Sequence, residues 1–200
     1  MKNLPIALIY SRLFIGILIV VLSFYEIKNY NIIAVSLFTI GLLTDIFDGI
    51  IARYLKISTS KLRRLDSTID QLFFMMIALA TFIQCPNFFY ENKVQLIVLL
   101  VFEGLTYLFC FIKFKKEIAT HAISSKIWTL ILFATLIQIM VTSNSGSLFQ
   151  ICFYLGVVTR IEILGIIFCI REWTNDVPSL YHAILLRQGK SIKRHKLFNG

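Results

Sequence analysis

Four of the chain's five aspartates, Asp45, Asp48, Asp66 and Asp70, lie in one stretch, TDIFDGIIARYLKISTSKLRRLDSTID, with apolar sequence on both sides. At about 100° per helical residue, Asp45, Asp48, Gly49 and Ala52 share an arc of about 100°. Asp66 and Asp70 are four apart and share a face of the following helix. A short basic loop separates the pairs, which makes their helices antiparallel neighbours whose carboxylate faces can meet. Carboxylates gathered in this way repel one another and lose hydration, and ionisable residues inside apolar segments usually mark function. Divalent cations relieve both problems. All-oxygen ligation favours Mg²⁺ or Mn²⁺, and two such ions can clamp the attacking and leaving oxygens of a phosphoryl displacement. The small Gly49 and Ala52 let a ligand approach the backbone closely. Arg53, at the mouth, offers a planar fork to phosphate oxygens. A solitary aspartate at a helix end would more simply face water or complement the helix dipole. Two pairs interleaved with Gly, Ala and Arg favour a metal and phosphate site.

The elements that must position these residues are membrane helices. Of the 200 residues, 58% are hydrophobic and 16% are charged, and the mean hydropathy is +0.79. Soluble domains are nearer half apolar and a quarter charged. A span needs about 20 mostly apolar residues, and six segments qualify: about Ile6–Phe24, Ile32–Ile51, Leu65–Ile83, Val94–Phe114, Ile127–Val141 (short, with room to extend back through Ser124) and Leu148–Ile170. The expected fold is an all-α polytopic bundle of six transmembrane helices over residues 1–171, followed by a basic cytoplasmic or interfacial tail, 172–200. Within the tail, Leu180, Ala183, Ile184 and Leu186 outline a short amphipathic helix suited to the membrane interface. The first apolar run is long for a signal peptide, holds Arg12 and precedes no A-x-A-like cleavage site, so it reads as a retained helix. Cys85, Cys110, Cys152 and Cys169 form no C-x-x-C pair and read as small buried hydrophobes.

Loop charge sets the orientation. Arg53, Lys56, Lys61, Arg63 and Arg64 follow the second span; Lys113, Lys115, Lys116 and Lys126 follow the fourth; Arg171 and five Lys and Arg of the tail follow the sixth. The opposite loops carry only Lys28 and Lys93. Both termini and the aspartate stretch are therefore expected at the cytoplasmic face, in a multi-pass protein of a bacterial plasma membrane. The net charge of +9 is accounted for by basic loops against anionic lipid, so no nucleic acid partner is expected.

At the aspartates the sequence resembles the CDP-alcohol phosphatidyltransferase family. The family signature is D-x-x-D-G-x-x-A-R, eight residues, then G-x-x-x-D-x-x-x-D. Asp45, Asp48, Gly49, Ala52, Arg53, Asp66 and Asp70 match it with spacing intact; Leu62 stands where the second glycine belongs. The opening NLPIALIYSR, with Asn3, Pro5 and Arg12, is similar to the family's usual start. The resemblance implies a transferase of phospholipid biosynthesis that moves a phosphatidyl group from a CDP-linked lipid, such as CDP-diacylglycerol, to a small alcohol and releases CMP. It implies two divalent cations, Mg²⁺ or Mn²⁺, on Asp45, Asp48, Asp66 and Asp70, with Asp70 also the general base. Gly49, Ala52 and Arg53 would line the CDP site. A homodimer among membrane lipids is expected from the resemblance alone. Leu62 puts the nucleotide pocket, more than the metal site, in question.

The acceptor is carried by weaker signals. Ser125, Lys126 and Thr129 faintly resemble the G-K-x-x-T of members that use glycerol phosphate, which makes glycerol 3-phosphate the expected acceptor. Inositol phosphate, serine and an aminoalcohol stay open. Lys126 is a candidate for the acceptor phosphate, or a basic residue that snorkels. Arg160, halfway along the sixth span, is a second candidate, or it pairs with Glu103 or Glu162 inside the membrane. Arg12, two turns into the first span, either reaches the cavity or snorkels to the interface. His121 reads as a solvated loop residue. A divalent-cation transporter or a silent membrane scaffold are the competing classes. The clustering of carboxylates at one face, without an inverted repeat, speaks against transport.

Overall fold

The computed structural model describes residues 4–55, 59–116, 120, 122–144, 146–174, 176–190 and 192, without the side chains of Arg53, Ser60, Lys61 and Arg63. Among these residues the chain is all helical: α1 (Leu4–Ser23), α2 (Tyr30–Tyr54), α3 (Ser60–Gln84), α4 (Pro86–Glu91), α5 (Lys93–Phe114), α6 (Ile123–Thr142), α7 (Gly146–Cys169) and α8 (Leu180–Arg187). Six of them, α1, α2, α3, α5, α6 and α7, are long and apolar enough to cross a membrane. Between 11% and 39% of each spanning window is buried inside the protein. The exposed remainder is rich in Phe, Ile, Leu and Val, as suits helices solvated by lipid rather than water.

Local chemistry explains where helices exceed the apolar runs. The third begins at Ser60, within the basic stretch, because Thr59 caps it: Thr59 Oγ1 accepts a hydrogen bond from the Leu62 amide at 3.2 Å. The fifth span starts at Ile123 rather than Ile127. Its first turn is tied down by the Ile123 amide donating to the Pro178 carbonyl at 3.0 Å. The short α4, absent from the sequence expectation, opens on Pro86, whose fixed φ suits a first helical position.

The chain divides into two compact units, one formed by residues 1–89 and 136–144, the other by 90–135 and 145–200. In the first, α1 packs on both α2 and α3. Its centre is Phe73, fully buried beside Phe38, with ring centroids 5.7 Å apart. Two glycines admit that ring. A Cβ on Gly16 would lie 3.1 Å from Phe73 and 2.8 Å from Met76 Sδ, and one on Gly41 would meet the Phe73 ring head-on. Gly41→Ala therefore forces α2 and α3 apart. Overpacking of this kind costs about 1–3 kcal/mol, and a detergent thermal melt should show the transition several degrees lower. An unchanged melt would contradict the packing described.

In the second unit, α5 packs on α7 and α7 on α8. Lys113 Nζ closes the end of α7 by donating to the carbonyls of Ile167 (2.8 Å), Phe168 (3.0 Å) and Ile170 (2.8 Å). The tail helix α8 is docked on one side: Ala183 joins Ala122, Ile166, Ile170 and Val177 in a buried cluster. Its Tyr181 and Ile184 remain exposed. Three cysteines, Cys85, Cys110 and Cys152, are buried, and all four are free thiols.

Candidate active site

The aspartate pairs meet as the sequence spacing requires. Asp45 and Asp48 lie on α2, Asp66 and Asp70 on α3, and both helices belong to the first unit. One carboxylate oxygen each from Asp45, Asp48 and Asp66 lies within 4.8 Å of the others. Asp48 is buried, while about a third of the side-chain surface of Asp45, Asp66 and Asp70 is exposed. Asp48 is thus the inner member of the cluster, and the other three are partly accessible. On the aspartate face of α2, Ala52 is buried and Gly49 half-buried. The Arg53 side chain lies outside the described residues, as do Lys56 and His121 and the side chain of Lys61.

A fifth residue completes the cluster. Arg12, on α1, is 1% exposed and reaches every aspartate. Its Nη1 bonds Asp45 Oδ1 at 2.7 Å and also pairs with Asp70. Its Nη2 bonds Asp66 Oδ1 at 3.1 Å and also pairs with Asp48. A single guanidinium fork thereby bridges α1, α2 and α3. Of the two sequence alternatives for Arg12, the side chain takes the inward one. It was absent from the expected site because position on a span says how deep a residue sits, not which way it faces.

The donor set suits a hard divalent ion. All ligands are carboxylate oxygens, they come from two helices, and Asp45 and Asp66 are partly exposed. Ligands on opposite sides of Mg²⁺ are about 4.2 Å apart, so a spread of 4.8 Å needs only a small contraction. Asp70 falls outside the group of three but is joined to it through Arg12.

The family comparison agrees with this geometry. A family model described as CDP-alcohol phosphatidyltransferase matches residues 2–162. The chain belongs to the CDP-alcohol phosphatidyltransferase family. The match takes in α1 to α6, most of α7 and every aspartate of the cluster, and it ends before α8. No curated relative and no solved structure matches the chain. As a family member the protein is a transferase of the CDP-alcohol phosphatidyltransferase type, built on six membrane-span-like helices. The family's divalent metals have a suitable acidic cluster here in Asp45, Asp48 and Asp66.

Leu62, at the place of the signature's second glycine, sits in the first turn of α3 and is half-buried. The acceptor candidates lie in the second unit, described by itself. Lys126 is exposed in the first turn of α6. Its neighbours bond to their own helix: Ser125 Oγ donates to the Ala122 carbonyl at 2.6 Å and Thr129 Oγ1 to the Ser125 carbonyl at 3.0 Å. Arg160 is buried, its Nε bonded to Glu103, with its guanidinium 4.1 Å from the Trp128 ring centroid. Trp128 is fixed by its Nε1 donating to the Cys152 carbonyl at 3.0 Å. Glu162, the other partner considered for Arg160, instead accepts from Ser124 Oγ at 2.5 Å and from the Leu180 amide at 3.2 Å. It ties the starts of α6 and α8 to α7.

Proposed function

We propose that the protein transfers a phosphatidyl group from CDP-diacylglycerol, or a closely similar CDP-linked lipid, to glycerol 3-phosphate and releases CMP. The observation that carries the reaction is the meeting of Asp45, Asp48, Asp66 and Asp70 from two consecutive helices in one partly exposed cluster. Asp45, Asp48, Asp66 and Asp70 would hold two divalent cations, Mg²⁺ or Mn²⁺, which would supply charge neutralisation for the donor's diphosphate and for departing CMP. Gly49 and Ala52 leave room for the diphosphate to lie along α2, with Arg53 contacting its oxygens. Asp70 takes the proton from the acceptor hydroxyl. The hydroxyl oxygen forms its bond to the lipid-side phosphorus as the phosphorus–oxygen bond to CMP breaks, and CMP carries away the bonding electron pair. Positioning and charge stabilisation supply most of the acceleration in phosphoryl transfer, which suits a site made of carboxylates on fixed helices.

The cluster faces the cytoplasm of a bacterial plasma membrane by the loop-charge asymmetry, and the protein works as a homodimer. Glycerol 3-phosphate as acceptor rests on Lys126, Thr129 and Arg160. Lys126→Ala should raise the KM for glycerol 3-phosphate about tenfold or more, as expected for a lost charged hydrogen bond, with a smaller change in kcat. Arg160→Ala should act in the same direction and also lower thermal stability, since it leaves Glu103 unpaired. Unchanged KM in both variants would remove glycerol 3-phosphate in favour of an acceptor without phosphate, such as serine or an aminoalcohol.

A further inference from the structure

We infer that Arg12 is a resident counter-cation, which holds the aspartate cluster together before a divalent cation enters and competes with that cation for the same carboxylates. The inference rests on the metal-binding reading of the cluster. It starts from a long side chain that could have reached water but is 1% exposed among three apolar helices. Its two terminal nitrogens contact all four aspartates. Its Nε, equally buried, has no hydrogen-bond partner. A buried arginine placed for its own sake would have every N–H satisfied. This one is placed where carboxylates need charge.

One guanidinium does not suffice for that charge. Four carboxylates around a single positive group leave three formal negative charges unbalanced, and divalent ions supply what is missing. The guanidinium already holds one oxygen of each carboxylate, so an ion bound by the same four groups lies beside a positive charge and must take those oxygens from Arg12 or make do with the others. Either way Arg12 opposes its entry, by lost hydrogen bonds or by like-charge repulsion. Arg12 thus stabilises the metal-free fold and weakens metal affinity through the same contacts.

The test is Mn²⁺ binding to the purified full chain in detergent, by calorimetric titration, beside the thermal melt with and without Mn²⁺. Arg12→Gln should bind Mn²⁺ about tenfold more tightly than the wild type, a gain of about 1.4 kcal/mol. Its metal-free melt should fall, and Mn²⁺ should raise it by more than in the wild type. Equal or weaker binding by Arg12→Gln, with the wild type binding normally, would overturn the inference and leave the metal reading intact. Absence of Mn²⁺ binding by the wild type would overturn both. Where Arg12→Gln does not fold even in Mn²⁺, Arg12→Lys decides. It keeps the charge but cannot fork across four carboxylates, so it should bind more tightly than the wild type, and no gain would overturn the inference.

Discussion

Asp70→Asn should lower CMP release by about 10³-fold or more while leaving the protein folded. The substitution keeps the size of the side chain and removes its ability to accept a proton. General-base catalysis alone contributes about 10²–10⁴-fold, and Asp70 also forms part of the charge around the cation site. Its carboxylate pairs with Arg12 and about a third of it is exposed, so an acceptor hydroxyl can reach it. The neighbouring Asp48 is buried and has no such access. Asp70→Asn should therefore bind CDP-diacylglycerol nearly as well as the wild type and fail in the chemical step. A variant that kept a tenth or more of the wild-type rate would exclude Asp70 as the base.

Chelation should be as severe. The donor brings an anionic diphosphate to a cluster in which four carboxylates share one guanidinium. Two like charges about 4 Å apart repel by about 4 kcal/mol at an effective dielectric of 20, and several such pairs would meet here. Arg12 cannot offset them, because it is already spread over the aspartates. EDTA should thus bring CMP release to background, and excess Mg²⁺ or Mn²⁺ should restore it. Activity that survives exhaustive chelation would mean that the aspartates serve another purpose.

Much of this site was legible in the sequence because two kinds of periodicity coincided. The apolar runs fixed six spans, and the aspartate spacing fixed which faces of α2 and α3 carry charge. Both depend on neighbours along one helix, which sequence reports directly. Arg12 was less legible because its partners lie 33 to 58 positions away, and nothing local says whether it turns inward. The glycines that admit Phe73 share that difficulty. Gly49 stood out because it sits inside a motif, whereas Gly16 and Gly41 matter through a ring on another helix. Arg160 had two acidic partners within reach of argument. The choice of Glu103 follows from the packing of α5 on α7, which also leaves Glu162 to hold the first residues of α6 and α8. Helix ends followed the same rule: the start of α3 depends on a threonine cap, and that of α6 on a carbonyl from the tail.

The most direct measurement is product formation by the purified wild-type protein with CDP-diacylglycerol and Mn²⁺. The acceptors offered singly are glycerol 3-phosphate, inositol phosphate, inositol, serine and choline, with CMP and the new lipid both quantified by mass spectrometry. The expected result is equal amounts of CMP and phosphatidylglycerol phosphate, with glycerol 3-phosphate the only efficient acceptor. CMP and lipid product with a different alcohol would keep the reaction and replace the acceptor. A folded, Mn²⁺-binding protein that released no CMP with any of them would contradict the proposed phosphatidyl transfer from CDP-diacylglycerol.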